Sequence, residues 1–166
     1  VGAIKLMRGA QRVYLALGSN LGRRRQVMQA ALRRLDARPG IVVLRTASFR
    51  MTDPVGPVAA QPRFLNSVAE LDVRLSPREL LVACLSIERS LGRDRTTAVP
   101  QGPRSIDLDI LLHGQQVVGE PDLVIPHPRL GTRRFVLEPL NELCPLLVPP
   151  GSATTIGALL RNVVHG

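Results

Sequence analysis

Two stretches of helical periodicity, each fenced by strand-like runs, constrain this chain more than any other feature. Residues 12–17 (Arg-Val-Tyr-Leu-Ala-Leu) read as a short buried strand ended by Gly18. Val27, Ala31 and Leu35, with Met28 and Leu32, recur at the spacing of one helix face and predict a helix over about 23–36. Pro39-Gly40 breaks the chain, and Ile41 to Ser48 is β-branched and apolar enough for a second strand. Over about 65–74, Ala69, Leu71 and Val73 alternate against Glu70, Asp72 and Arg74, the pattern of a third strand. Ser76-Pro77-Arg78-Glu79 then supplies an N-cap, a proline at the first helical position and a capping-box glutamate. Leu80, Cys84, Ile87 and Leu91 carry that helix to Gly92, a natural stop, and a fourth strand holds Asp107. The order βαββαβ predicts a ferredoxin-like α+β sandwich with two helices on one sheet face. A C-terminal extension follows, with Ile125-Pro126-His127-Pro128, a helical stretch near 132–143 and a short helix near 155–164.

The 166 residues suit a single domain with a core of about 12–164, and the patternless residues 1–11 read as a loose N-terminal arm. Nearly half of the residues are apolar, which argues against disorder. No apolar run approaches the ~18 residues of a membrane span, and the N-terminus lacks a signal-peptide core. The expectation is a cytoplasmic, monomeric protein with no membrane partner. Cys84 and Cys144 stand far apart without a Cys-x-x-Cys pair, so neither a disulfide framework nor a zinc site is expected, and Cys84 falls on the apolar side of its helix. Lys and Arg outnumber Asp and Glu by 22 to 13, giving a net charge of +9. Arg23, Arg24, Arg25, Arg33 and Arg34 lie on the first predicted helix, where a solvated face explains them, so charge alone assigns no partner.

The chemistry concentrates in Gly102-Pro103-Arg104-Ser105-Ile106-Asp107-Leu108-Asp109. In a strand, Asp107 and Asp109 share one face, roughly 6.6 Å apart, while Ile106, Leu108 and Ile110 face a core. Such a pair suits a hard cation such as Mg²⁺, which takes oxygen ligands and leaves positions open for phosphates. Taken alone, a half-exposed strand with a solvated acidic side is the commoner explanation. Around it stand Arg93 and Arg95, opening a polar loop over 93–103, Arg104 closing it, and His127 and Arg133 beyond. The Pro-rich connection 50–63 leads to Phe64-Leu65-Asn66, an aromatic face beside an amide. Metal ligands, phosphate clamps and a flat-ring pocket together describe phosphoryl transfer from a nucleotide to a small planar substrate. Gly18-Ser19-Asn20-Leu21-Gly22 lacks the lysine and spacing of a Walker loop. It reads equally as a strand-to-helix turn capped by Ser19 or Asn20 and as a direct ligand loop.

These blocks give the chain its likeness to a known family. It resembles 6-hydroxymethyl-7,8-dihydropterin pyrophosphokinases in Tyr14-Leu15-Ala16-Leu17-Gly18-Ser19-Asn20-Leu21-Gly22, Thr52-Asp53-Pro54-Val55-Gly56-Pro57 and Gln61-Pro62-Arg63-Phe64-Leu65-Asn66. The likeness continues through Ile87-Glu88-Arg89, Gly92-Arg93, the Asp107 segment, Ile125-Pro126-His127-Pro128-Arg129-Leu130 and Arg133-Arg134-Phe135-Val136-Leu137-Glu138-Pro139-Leu140. The resemblance implies transfer of the terminal diphosphate of ATP to the pterin hydroxymethyl oxygen, with release of AMP, in folate biosynthesis. It implies two Mg²⁺ ions on Asp107 and Asp109, and Arg93 and Arg104 as catalytic phosphate clamps. Glu88, Arg95, His127 and Arg133 would complete the ATP side, while Thr52, Pro54, Val55, Phe64, Asn66 and Phe135 would hold the pterin.

Three positions depart from some relatives: Gln101 stands in place of a tryptophan, Thr96 in place of a basic residue, and Pro128 in place of an aromatic. Activity with altered loop kinetics or nucleotide affinity is the expectation. Single residues also have plainer explanations. Phe64 and Phe135 could be core residues, Glu88 a helix-surface charge, and His113 and His165 exposed turn or end residues. The rival function is RNA binding on a ferredoxin-like sheet. The predicted strands lack the stacking aromatic pair that such sheets display, and the Asp107/Asp109 face would repel phosphate without metal. Nucleic acid is therefore not an expected partner.

Overall fold

A computed structural model describes residues 9–58, 60–93 and 104–163. The central sheet is built from β1 (Gln11–Ser19), β2 (Ile41–Thr46), β3 (Arg50–Thr52), β4 (Phe64–Val73) and β5 (Asp107–His113). Its order is β2-β4-β1-β5, with β3 also paired to β4, and every pairing is antiparallel. The helices α1 (Arg24–Asp36) and α2 (Pro77–Ser90) make the crossovers, which yields the expected βαββαβ sandwich. The extension contains β6 (Val118–Glu120) and β7 (Leu123–Ile125), which form a hairpin of their own, then α3 (Arg134–Leu143) and α4 (Ile156–Asn162). The second predicted strand ends at Thr46, short of Ser48, and the connection expected to be irregular from residue 50 opens with a short strand, β3, paired to the start of β4.

The two-residue period of β1 separates two cores. Val13, Leu15 and Leu17 meet Met28, Ala31 and Leu35 of α1 and Leu80, Cys84 and Ile87 of α2. On the opposite face, Tyr14, Val68, Leu111 and Leu112 pack with Val136, Leu137 and Leu140 of α3 and Ile156 of α4. The sheet is thus covered on both faces at the α3 end, and every residue of β4 is buried. Glu70 and Asp72 are therefore buried along with the apolar residues they alternate with. Glu70, 3 % exposed, accepts from Tyr14 Oη (2.9 Å), Arg45 Nη2 (2.8 Å) and Arg12 Nη1 (3.2 Å). Burial alone would raise its pKa, but these donors hold it below the usual carboxylate value. Arg45 also donates to the Leu143 carbonyl, tying the end of α3 to the sheet.

A register shift between Tyr14 and Leu15 leaves one extra residue in β5. Leu111 and Leu112 consequently both feed the α3-side core, while Asp109 and Asp107 stay opposite Ala16 and Gly18. The capping box of α2 forms as its sequence requires, with Ser76 Oγ accepting from Glu79 N–H (3.2 Å) and Glu79 Oε1 accepting from Ser76 N–H (3.2 Å). Cys84 is buried, and burial pushes its thiol up to about 12. His113 is 1 % exposed, not an exposed turn residue, because its ring nitrogens bridge the Leu75 carbonyl (3.0 Å) and the Gln116 amide (3.2 Å). Among the described residues, no helix is long and apolar enough to cross a membrane.

Candidate active site

Where α3 leaves the sheet uncovered, a cleft opens over β1, β4 and β5. Its floor is possible because residue 18 is glycine: a Cβ there would stand 2.9 Å from Asn66 Oδ1. Asp107 and Asp109 both line the cleft, so the strand does present both carboxylates on one side. Thr52, Val55, Phe64, Asn66 and Phe135 line the same space, together with Arg104, His127 and Arg133. Asp53, which sequence reasoning passed over, also lines it and pairs with Arg63 (3.0 Å) across the connecting loop. Pro54 is half-buried in that loop and is not part of the lining. Arg95, Thr96, Gln101 and His165 lie outside the described residues.

The carboxylate pair is engaged by cations of the chain itself. Arg93 Nη1 donates to Asp107 Oδ1 (2.5 Å), and Arg104 Nε lies 3.3 Å from Asp107 Oδ2. Arg93 Nη1 also reaches the Ile106 carbonyl (2.9 Å) and Glu88 Oε2 (3.1 Å). Glu88 is 1 % exposed rather than a surface charge, and it accepts the Leu108 N–H (3.0 Å) between the two aspartates. It is not part of the lining of this cleft and stands behind it, against the strand. Both phenylalanines carry a guanidinium: Arg104 lies 4.7 Å above the Phe64 ring and Arg133 5.5 Å from that of Phe135. Asn66 Nδ2 donates to Thr52 Oγ1, which fixes the amide at the rim.

His127 Nδ1 accepts from Arg129 N–H (3.1 Å), so the neutral ring carries its proton on Nε2. Burial, then the charges of Arg133 and Arg129, lower its pKa, and Asp107 opposes them. Burial likewise lowers the pKa of Arg133. A second cleft adjoins the first through Asp109 and His127, and Leu81, Leu85, Ile110, Leu123 and Val124 give it apolar walls. Sequence reasoning missed it. Leu81 and Leu85 sit one turn apart on α2, but nothing in their spacing says that the α2 flank borders an edge strand.

Two carboxylates beside arginines and an aromatic-lined cleft narrow the chemistry to handling a phosphorylated ligand and a flat ring. The comparisons decide the family. Residues 14–145 match the family described as 7,8-dihydro-6-hydroxymethylpterin-pyrophosphokinase. The 2-amino-4-hydroxy-6-hydroxymethyldihydropteridine pyrophosphokinase of Pseudomonas aeruginosa is 46% identical over 142 residues, covering 85% of this chain and 86% of its own.

The chain belongs to this pyrophosphokinase family.

It is an ATP-dependent pyrophosphokinase that transfers diphosphate to hydroxymethylpterin. The Bacillus subtilis pyrophosphokinase is 43% identical, covering 79% of this chain and 77% of its own. The folic acid synthesis protein of Pneumocystis carinii is 37% identical over 92% of this chain, which spans only 20% of that longer protein. A crystal structure of Plasmodium falciparum HPPK-DHPS with pteroate shares the fold with a TM-score of 0.73 at 16% identity, over 92% of this chain and 43% of that one.

Proposed function

We propose that the two clefts divide the reaction between them, the aromatic one holding the dihydropterin and the apolar one the nucleoside of ATP, with the phosphates crossing Asp107 and Asp109. The carboxylate pair carries this reading. Two oxygen-donor side chains on a rigid strand fit Mg²⁺, which keeps most of its positions for water and phosphate. Among the described residues, no cluster of three or more His, Cys, Asp or Glu exists that would instead enclose a metal. Asp107 and Asp109 would hold the two Mg²⁺ ions, which would supply positive charge to offset the charge that develops on the transferred group.

The chain's own groups supply the rest. Arg93 and Arg104 already lie against Asp107, so a short swing of either guanidinium exchanges a carboxylate oxygen for a phosphate oxygen. Glu88 holds Arg93 from behind and keeps it poised for that exchange. His127 offers Nε2–H as a neutral donor beside Arg133, and Arg95 belongs to the same set by resemblance. Phe64 and Phe135 supply flat faces for the pterin ring, which takes the places of the two guanidinium groups. Asn66 and Thr52 read its polar edge, with backbone groups near Pro54 and Val55 adding contacts. No general base is needed, because positioning and electrostatics dominate phosphoryl transfer.

The test is product identity. Incubated with ATP, Mg²⁺ and hydroxymethyl dihydropterin, the protein is expected to release AMP in step with pterin diphosphate. Release of ADP, or no turnover by folded protein, would refute the reading.

A further inference from the structure

Asn20 does not cap α1. The N-cap position is Arg23, which forms no side-chain cap bond. Asn20 is instead 1 % exposed and spends its polar groups on the two segments that flank the cleft. Its Nδ2 donates to Gln61 Oε1 (2.8 Å) and to the Pro62 carbonyl (3.0 Å). Its Oδ1 accepts the Arg104 N–H (2.8 Å), and its own N–H donates to the Arg104 carbonyl (3.1 Å). The side-chain amide therefore grips the chain just before Phe64 and the Arg104 N–H, and the main-chain N–H of the same residue takes the Arg104 carbonyl. Gln61 is braced in turn, with Nε2 donating to the Val58 carbonyl (2.6 Å).

The two gripped segments meet again inside the cleft, where the Arg104 guanidinium lies over Phe64 and beside Asp107. Any movement of Arg104 towards a phosphate thus acts on Phe64 by two routes, through the ring contact and through Asn20. Only an asparagine makes all of these side-chain bonds at this length. Aspartate lacks the two donors and would set a carboxylate against Gln61 Oε1 and the Pro62 carbonyl, while alanine removes every side-chain bond and keeps only the main-chain bond to the Arg104 carbonyl.

We propose that Asn20 is a positioning residue that couples the pterin half of the site to the nucleotide half, so that occupation of one pre-arranges the other. This inference rests on the assignment of the two halves under the proposed function. Coupling between two sites is a measurable ratio, equal in both directions. Calorimetry would measure the pterin Kd of wild type, Asn20→Ala and Gln61→Ala, each with and without a saturating Mg²⁺ complex of α,β-methylene-ATP, the bond that reacts being replaced. Wild type is expected to bind pterin about tenfold or more tighter with nucleotide present. Asn20→Ala is expected to reduce that ratio to about twofold, with the nucleotide Kd alone changed less than about threefold. Gln61→Ala, which leaves the Arg104 link and the Pro62 bond in place, is expected to give an intermediate ratio and covers the case of an unfolded Asn20→Ala. A purely structural role would lower the melting temperature and leave the ratio unchanged. Equal ratios in wild type and in the folded variants would overturn the proposal. Wild-type AMP release alongside equal ratios would overturn this inference alone, whereas no AMP release would overturn the assignment beneath it.

Discussion

Asp107 never stands as a bare charge, because each carboxylate oxygen already has an arginine beside it. Asp109 is the second carboxylate proposed to hold the metal. Asp109→Ala is expected to lose most turnover, by about 100-fold or more, while unfolding changes by less than about 1 kcal/mol. Near-normal rates, assayed by AMP release, would exclude it as a metal ligand. Glu88 predicts the opposite balance. Its removal orphans the buried Leu108 N–H and takes one of its two carboxylate partners from Arg93, so Glu88→Ala is expected to cost about 3 kcal/mol in urea unfolding as well as reducing turnover. A fully stable Glu88→Ala protein would contradict that account. The two residues also mark what sequence can reveal at this scale. The Asp107-Leu108-Asp109 spacing shows itself in any strand, because alternation fixes the side on which each residue falls. The burial of Glu88 depends on the end of α2 meeting the backbone of a strand nearly twenty positions on, and helix periodicity carries no such information.

The elements themselves were readable wherever local chemistry decides them. The Ser76-Pro77-Arg78-Glu79 start of α2 and the Gly92 stop needed nothing beyond the adjacent residues. The second face of the sheet was not readable. Alternation along β4 separates charged from apolar residues but does not say that α3 and α4 cover the charged side, or that Arg12 and Arg45 neutralise its carboxylates. Burial of this kind leaves a trace in pH dependence at the other end of β5. His113 has its pKa lowered, chiefly by burial, with the Leu75 carbonyl pulling the other way. Nδ1 accepts from Gln116 and Nε2–H donates to Leu75, which is a neutral ring with both nitrogens occupied. A histidine more acidic in the fold than in the unfolded chain contributes stability that is complete above the unfolded value near 6.5 and lost as pH falls through the folded value. His127 carries the same sign. The melting temperature is therefore expected to fall between about pH 7.5 and 5, a window above the carboxylate titrations. A His113→Gln variant is expected to flatten that slope, and a wild-type melting temperature constant over the window would refute the argument.

At the scale of the molecule, the net charge of +9 and the arginines around the cleft act on the two substrates unequally. A Mg²⁺–ATP complex is an anion and feels the positive field as it approaches, whereas the hydroxymethyl dihydropterin is neutral and does not. Much of the excess charge lies on α1, where Arg25, Arg33 and Arg34 are exposed, so its influence reaches the site through solvent and is open to screening. At 0.15 M salt the Debye length is about 8 Å, and at 1 M it is about 3 Å. Raising potassium chloride from about 50 to 500 mM at fixed free Mg²⁺ is therefore expected to lower kcat/KM for ATP several-fold, while kcat/KM for the pterin at saturating ATP changes by less than about twofold. The contacts buried between Arg93, Glu88 and Asp107 are shielded from the salt, so kcat itself should vary little. An equal salt response for the two substrates would mean that the basic surface plays no part in capturing the nucleotide. The arginines of α1 would then be what composition first suggested, a solvated face with no share in the reaction.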